Sequence, residues 1–116
     1  LSVRAQDVAA ADLASSRCKN VAPSYRDRVG LARMLLTKNR AAEALAAMAD
    51  VEAWPVRIDV KANGWFVRCD ALAAEAKWDD AESCVHHLDA SGYVPEKERT
   101  KITTRLQQID EALHPR

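Results

Sequence analysis

Three prolines limit what this chain can fold into. Pro23, Pro55 and Pro95 each follow a stretch of helix-forming residues, and each stands where a new helix can begin. Proline lacks the N–H that a helix interior needs, but it is tolerated in a first turn. The chain is thereby cut into short helical segments. At 116 residues it corresponds to one domain, residues 1–116, with a modest core. The apolar share is 48%, yet aromatic residues make up only 5% of the chain, and alanine supplies much of the remainder. Alanine is the best helix former and lets helices approach closely, so the expected fold class is all-α, built from packed helices. No apolar run approaches the roughly 18 residues needed to span a bilayer, so no membrane partner is expected.

Helix boundaries follow from local signals. Residues 3–20 read as a first helix with a weak stripe of Val8, Leu13 and intervening alanines. Ser24 then offers an N-cap, with Asp27 three residues on. Leu31, Met34 and Leu35 continue that helix to about Lys38, and Asn39 recaps the chain. Ala41, Ala44, Leu45 and Met48 mark the next helix. Further on, Phe66, Cys69, Leu72 and Ala73 share a helical spacing that ends near Ala76. Asp79 and Glu82 form a capping-box pattern for the following helix, which places Ala81, Cys84, Val85 and Leu88 inward and stops at Gly92. After Pro95, a narrow stripe of Ile102, Leu106, Ile109 and Leu113 predicts a one-sided capping helix.

The stretch from Val56 to Val67 carries two opposed signals. Apolar and polar residues alternate around Asn63-Gly64, which by local rules is a β-hairpin pattern. The alternative is a helix from near Asp59 with Gly64 in its interior, at about 1 kcal/mol relative to alanine. The helix is preferred because a lone hairpin has no sheet to join and is marginal in water.

An internal repeat becomes visible when the sequence is slid by 37 residues. Asn39 to Met48 then falls on Ala76 to Val85, Ala32 falls on Cys69, and Leu35 falls on Leu72. Each block holds a helix with a small residue and a large apolar one a turn apart, then a tight polar turn and a helix with a buried alanine. This pattern resembles the tetratricopeptide repeat. Ala32/Cys69 and Ala44/Ala81 match its small positions, Leu35/Leu72 its large position, and Met48/Val85 a site that is usually aromatic or large aliphatic. The family's turn glycine is replaced by Asn39 and Ala76, and its period of about 34 is exceeded. The resemblance implies antiparallel helical hairpins stacked as a short superhelix. The hairpins would span about residues 24–54 and 59–92, with a capping helix at about 95–113.

The resemblance also implies a role: a non-enzymatic adaptor that holds another polypeptide in a groove lined by the first helices of the repeats. The matching partner-binding positions are Arg26, Val29, Arg33 and Leu36, then Asn63, Phe66, Asp70 and Ala73. Arg26 and Arg33 would supply charge and Phe66 an apolar anchor, while Arg33 and Asp70 would stand as an inter-repeat ion pair. The carboxylate clamp of chaperone-binding members is not matched, since Val29 and Arg33 occupy its places. The segment Ala81 to Glu96, with its Gly92-Tyr93-Val94-Pro95 exit, also resembles the pentatricopeptide repeat. That likeness implies single-stranded RNA as the alternative partner. The formal net charge of zero argues against it, because an RNA groove needs a basic stripe. A purely structural subunit of a large complex is the third reading.

Charge and cysteine content bear on chemistry. Residues 1–40 hold eight basic side chains against three acidic ones, and residues 41–95 hold four against ten. The simplest use of such a dipolar chain is pairing between its own halves. Cys18, Cys69 and Cys84 are odd in number and widely spaced. The spacing reads as reduced thiols in an intracellular, reducing compartment, with one bridge left open as the alternative. His86-His87 beside Cys84, with Cys69 within reach from the facing helix, invites a metal reading, but no Cys-x-x-Cys or His-x-x-x-His pair accompanies it, so neither metal nor cofactor is expected. Only three glycines are present, too few for a phosphate-cradling loop, and no nucleophile–base motif with an oxyanion hole is visible. No catalytic residue is assigned.

Overall fold

The computed structural model of the chain describes residues 24–115. The helix expected over residues 3–20, together with Cys18 and Pro23, lies outside the described residues. Within them the fold is all-helical. Helix α1 (Tyr25–Thr37) and the short α2 (Ala41–Ala47) form a first hairpin, and a 3₁₀ turn (Val51–Ala53) leads out of it. Helices α3 (Ile58–Ala74) and α4 (Trp78–Ser91) form a second hairpin. A 3₁₀ turn (Glu96–Glu98) then opens into α5 (Arg99–Leu113).

Several of these boundaries are chemically explicit. Ser24 caps α1, its Oγ accepting from the Asp27 N–H at 3.1 Å. Gly92 ends α4 in the left-handed conformation, φ 78°. The Asp79 cap is corrected: α4 begins two residues earlier, at Trp78, with Lys77 as its N-cap and no side-chain cap bond. Asp79 and Asp80 sit inside the first turn, where carboxylates favour the helix dipole.

The reason for that early start is the turn before it, which repeats the turn before α2. Asn39 and Ala76, 37 positions apart, both have positive φ, 61° and 59°. The Arg40 N–H reaches back to Leu35 O at 2.9 Å, and the Lys77 N–H reaches Leu72 O at the same distance. Each also has a companion bond spanning fewer residues, Asn39 N–H to Leu36 O at 3.1 Å and Ala76 N–H to Ala73 O at 2.9 Å. This is one Schellman-type ending made twice, and it fixes where each second helix can begin.

The hairpin alternative for residues 56–67 is overruled, because α3 runs through it without a break. Gly64 serves a packing need rather than a turn. A Cβ built there would lie 2.6 Å from Val51 Cγ2 and 3.1 Å from Trp54 Cζ3, so the 3₁₀ turn can press against α3 only where a side chain is absent. Helix α3 packs against α1, α2, the 3₁₀ turn and α4. It buries Val60, Ala62, Trp65, Phe66, Val67, Cys69 and Ala71, a sequence apolar nearly all round. The small residues expected at helix crossings are deeply buried: Ala32, Ala44 and Ala81 have no exposed surface, and Cys69 has 2%.

A covalent feature departs from the expectation of reduced thiols. Cys69 of α3 and Cys84 of α4 form a disulfide, with Cα atoms 5.5 Å apart. The sequence left one bridge open as the alternative, and this pair meets once the hairpin folds. No helix among the described residues is long and apolar enough to cross a membrane.

Candidate functional site

Side-chain pairs show how the hairpins are set side by side. Arg26, at the start of α1, lies 3.5 Å from Asp59 at the start of α3. Asp70, late in α3, is gripped by Arg105 of α5 through two parallel bonds, Nε to Oδ1 at 2.8 Å and Nη2 to Oδ2 at 2.9 Å. Helices α1 and α3 therefore begin together, while α5 packs against α4 and reaches α3 through Arg105. This bidentate geometry is the strong form of an ion pair.

Two hollows open beside α3, one toward the segment leading into α5 and one toward α4 and α5. The larger, of about 480 Å³, is lined by the first half of α3 and the exit of α4, including Ile58, Asn63, Phe66, Tyr93, Val94 and Lys101. Ile58 at its lip is 59% exposed, an unusually bare large aliphatic side chain. The smaller, of about 180 Å³, lies further along α3, among Cys69, Asp70, Ala73, Trp78 and Arg105. A third groove, of about 790 Å³, lies on another side of α3, between α2 and α4, and includes Leu45, Trp65, Arg68, Leu72, Cys84 and His87.

The structure brings together some of the positions expected to bind a partner and separates others. Asn63 and Phe66 share the 480 Å³ hollow, and Arg26 touches its rim through Asp59. Asp70 and Ala73 line the smaller cavity. Arg33 is exposed and Leu36 half-buried on α1, away from these hollows. Val29 is only 3% exposed and belongs to the core, because it faces the packed side of α1. Phe66 is 4% exposed, with the Arg105 guanidinium 4.4 Å above its ring, so it forms the floor of the hollow rather than a projecting anchor. The expected Arg33–Asp70 pair is replaced by Arg105–Asp70. The outward positions were transferred from the repeat pattern, which carries no information about a long arginine arriving from α5. Ile58, Tyr93 and Lys101 were not anticipated. The rigid Gly92-Tyr93-Val94-Pro95 exit was the available signal, since it must turn the chain back over the start of α3.

A polar cluster ties the 3₁₀ turn to the helices around it. The Tyr93 hydroxyl donates to Glu52 at 2.9 Å, His87 Nε2 lies 3.4 Å from the same carboxylate, and Lys61 donates to the Glu52 backbone carbonyl at 2.9 Å. Chiefly through the Tyr93 hydrogen bond, with help from His87 and Lys61, the Glu52 carboxyl is held below its ordinary range, and the little burial it has opposes this. The same contact raises the Tyr93 phenol above its usual value. Beside the cluster, Trp65 is layered between the Arg68 guanidinium, 4.8 Å from its ring, and the His87 imidazole, at 4.5 Å. Trp54 is buried, its indole N–H bonded to Asp50 at 2.9 Å and its ring 4.8 Å from Tyr25. Trp78 is half-buried at the start of α4 and walls the small cavity. The tryptophans are thus packing residues.

Cys69 and Cys84, the ligands imagined for a metal, are consumed in the bridge. Among the described residues no group of three or more His, Cys, Asp or Glu side chains is gathered as a metal site would require. What the surface offers is a hollow with apolar walls, hydrogen-bonding groups and a mixed-charge rim. Compared with protein-family models, curated proteins and solved structures, the chain matches none.

Proposed function

We propose that this chain is a non-enzymatic interaction module that holds another polypeptide against the side of its hairpins formed by α1, α3 and α5. The observation that carries this reading is the 480 Å³ hollow with Ile58 bare at its lip and Asn63 beside it. A short apolar segment can cover Ile58 while its backbone hydrogen-bonds to the Asn63 amide. Arg26, Arg33 and Leu36 would extend the contact along α1.

A tetratricopeptide-like stacking is supported by the twin Schellman-type turns at the 37-residue offset and by α1 and α3 starting side by side. The bridged Cys69–Cys84 pair weighs against the reducing compartment expected from the cysteine count. Zero net charge weighs against RNA as the partner.

The test is a pull-down from extract with the full chain as bait, with and without ribonuclease. Ile58→Asp/Asn63→Ala and Arg26→Ala/Arg33→Ala serve as paired variants. A protein that survives ribonuclease and is lost from the Ile58/Asn63 variant supports the reading and locates the surface. Partners that vanish on ribonuclease treatment, or that bind both variants as well as the parent chain, overturn it.

A further inference from the structure

The Cys69–Cys84 bridge is two-sided, and its two sides differ. Both residues are buried, Cys69 at 2% and Cys84 at 6% exposure. Cys84 lines the 790 Å³ groove between α2 and α4, whereas Cys69 lines the 180 Å³ cavity that Arg105 and Trp78 also border. Thiol–disulfide exchange requires a thiolate to approach one sulfur from the side opposite its partner. Cys84 borders the roomy groove. Cys69 borders the small cavity, crowded by the Asp70–Arg105 pair.

We propose that Cys84 is a thiol-exchange site, at which a small-molecule thiol of glutathione size enters the folded protein and opens the bridge. A thiolate in the groove attacks Cys84 Sγ. A new sulfur–sulfur bond forms there, the Cys69–Cys84 bond breaks, and Cys69 departs as the thiolate. The Arg105 guanidinium borders the cavity into which Cys69 is released, and the thiolate afterwards takes a proton from water. A second thiolate then attacks the sulfur of the first, releasing Cys84 as a thiolate and an oxidised thiol dimer. Two electrons pass from the two small thiols to the bridge. The groove, at about 790 Å³, is large enough for a tripeptide thiol, and the cavity at Cys69 is not. The pair would therefore follow the thiol poise of its surroundings without the module having to unfold.

The experiment compares the two sulfurs directly. The full-length variants Cys69→Ser and Cys84→Ser, shown by circular dichroism to keep the parent helix content, are incubated natively with oxidised glutathione. Peptide mapping then separates modification of the bridge cysteines from that of Cys18. Cys84 in the Cys69→Ser chain is expected to be glutathionylated at least about tenfold faster than Cys69 in the Cys84→Ser chain, with the gap closing in denaturant. In the unmutated oxidised protein, loss of the bridge to reduced glutathione is expected to be first order in thiol and insensitive to low urea, which keeps the test valid should a variant fail to fold. Equal modification of the two cysteines, or a bridge in the unmutated chain whose loss rises steeply with urea from the outset, overturns the proposal.

Discussion

Replacing Gly64 with alanine sets two known effects against each other. In a helix interior, alanine is favoured over glycine by about 1 kcal/mol, so an unconstrained site would be stabilised. At Gly64 the new methyl would stand 2.6 Å from Val51 Cγ2 and 3.1 Å from Trp54 Cζ3. Neither neighbour can yield easily. Val51 has no exposed surface, is β-branched, and its carbonyl accepts from the Trp54 N–H at 3.1 Å. Trp54 is anchored through its indole N–H to Asp50 and lies against the Tyr25 ring. Forcing a methyl into such a packed contact costs about 1–3 kcal/mol. The closeness of the contact places the cost in the upper part of that range, so a net loss of about 1–2 kcal/mol is expected. Urea unfolding followed by circular dichroism and tryptophan fluorescence measures it.

The sign of the effect should depend on residue 51. Val51→Ala alone removes the obstructing methyl and leaves a cavity, at about 2 kcal/mol. In that background, Gly64→Ala fills part of the space and gains helix propensity, so it should stabilise by up to about 1 kcal/mol. Gly64→Ala that stabilises the parent chain, or that has the same sign in both backgrounds, would refute the view that this glycine exists for close approach of the 3₁₀ turn.

Three further outcomes follow from named contacts. Ala76 holds φ 59° with a Cβ that disfavours it, so Ala76→Gly should raise stability by about 1 kcal/mol, read as a higher urea midpoint at unchanged slope. Arg105→Lys keeps the charge but loses the two-bond grip on Asp70 and the planar cover of Phe66. It should cost about 1 kcal/mol, and a double-mutant cycle with Asp70→Asn should recover most of that as coupling. The depressed Glu52 carboxyl contributes stability that is present above its unfolded value near 4.5 and lost as pH falls through its lower folded value. Tyr93→Phe removes the largest cause of that depression. Urea midpoints of parent and variant should differ near neutrality, and the gap should shrink as pH falls below 4.5, whereas a constant gap would contradict the assignment.

Much of the fold was legible because the signals were local. The Ser24 cap, the Gly92 stop and the 37-residue offset each describe what the backbone does within a few residues, and the offset reappears as two turns with the same hydrogen bonds. The Val56–Val67 stretch carried a competing local signal, although the preferred helix is the one that forms. Its Asn-Gly pair satisfies a local turn rule, but Gly64 answers to Val51 and Trp54, which reach it only through packing. The surface positions were less legible. Val29 and Phe66 were placed outward by analogy of register, while the packing of α3 on α1 and the reach of Arg105 from α5 decide their burial. The disulfide was legible only as an alternative to free thiols, since its formation depends on two helices meeting side by side.

Helix α3 explains why these features cannot be varied independently. Its successive residues face different surroundings: Ile58, Asn63 and Phe66 line the hollow beside α5, Cys69, Asp70 and Ala73 the small cavity, and Trp65, Arg68 and Leu72 the groove beside α4. A substitution on α3 that changes binding at one face therefore also changes support for the other two. Residues held by one or two contacts at the rims separate the effects better. Arg26 meets Asp59 at 3.5 Å with both side chains more than half exposed, so its removal alters the rim charge with little loss of stability. A binding defect in the Arg26 variant at parental stability would then report on the surface alone, whereas one in a Phe66 variant would report on the core that carries it.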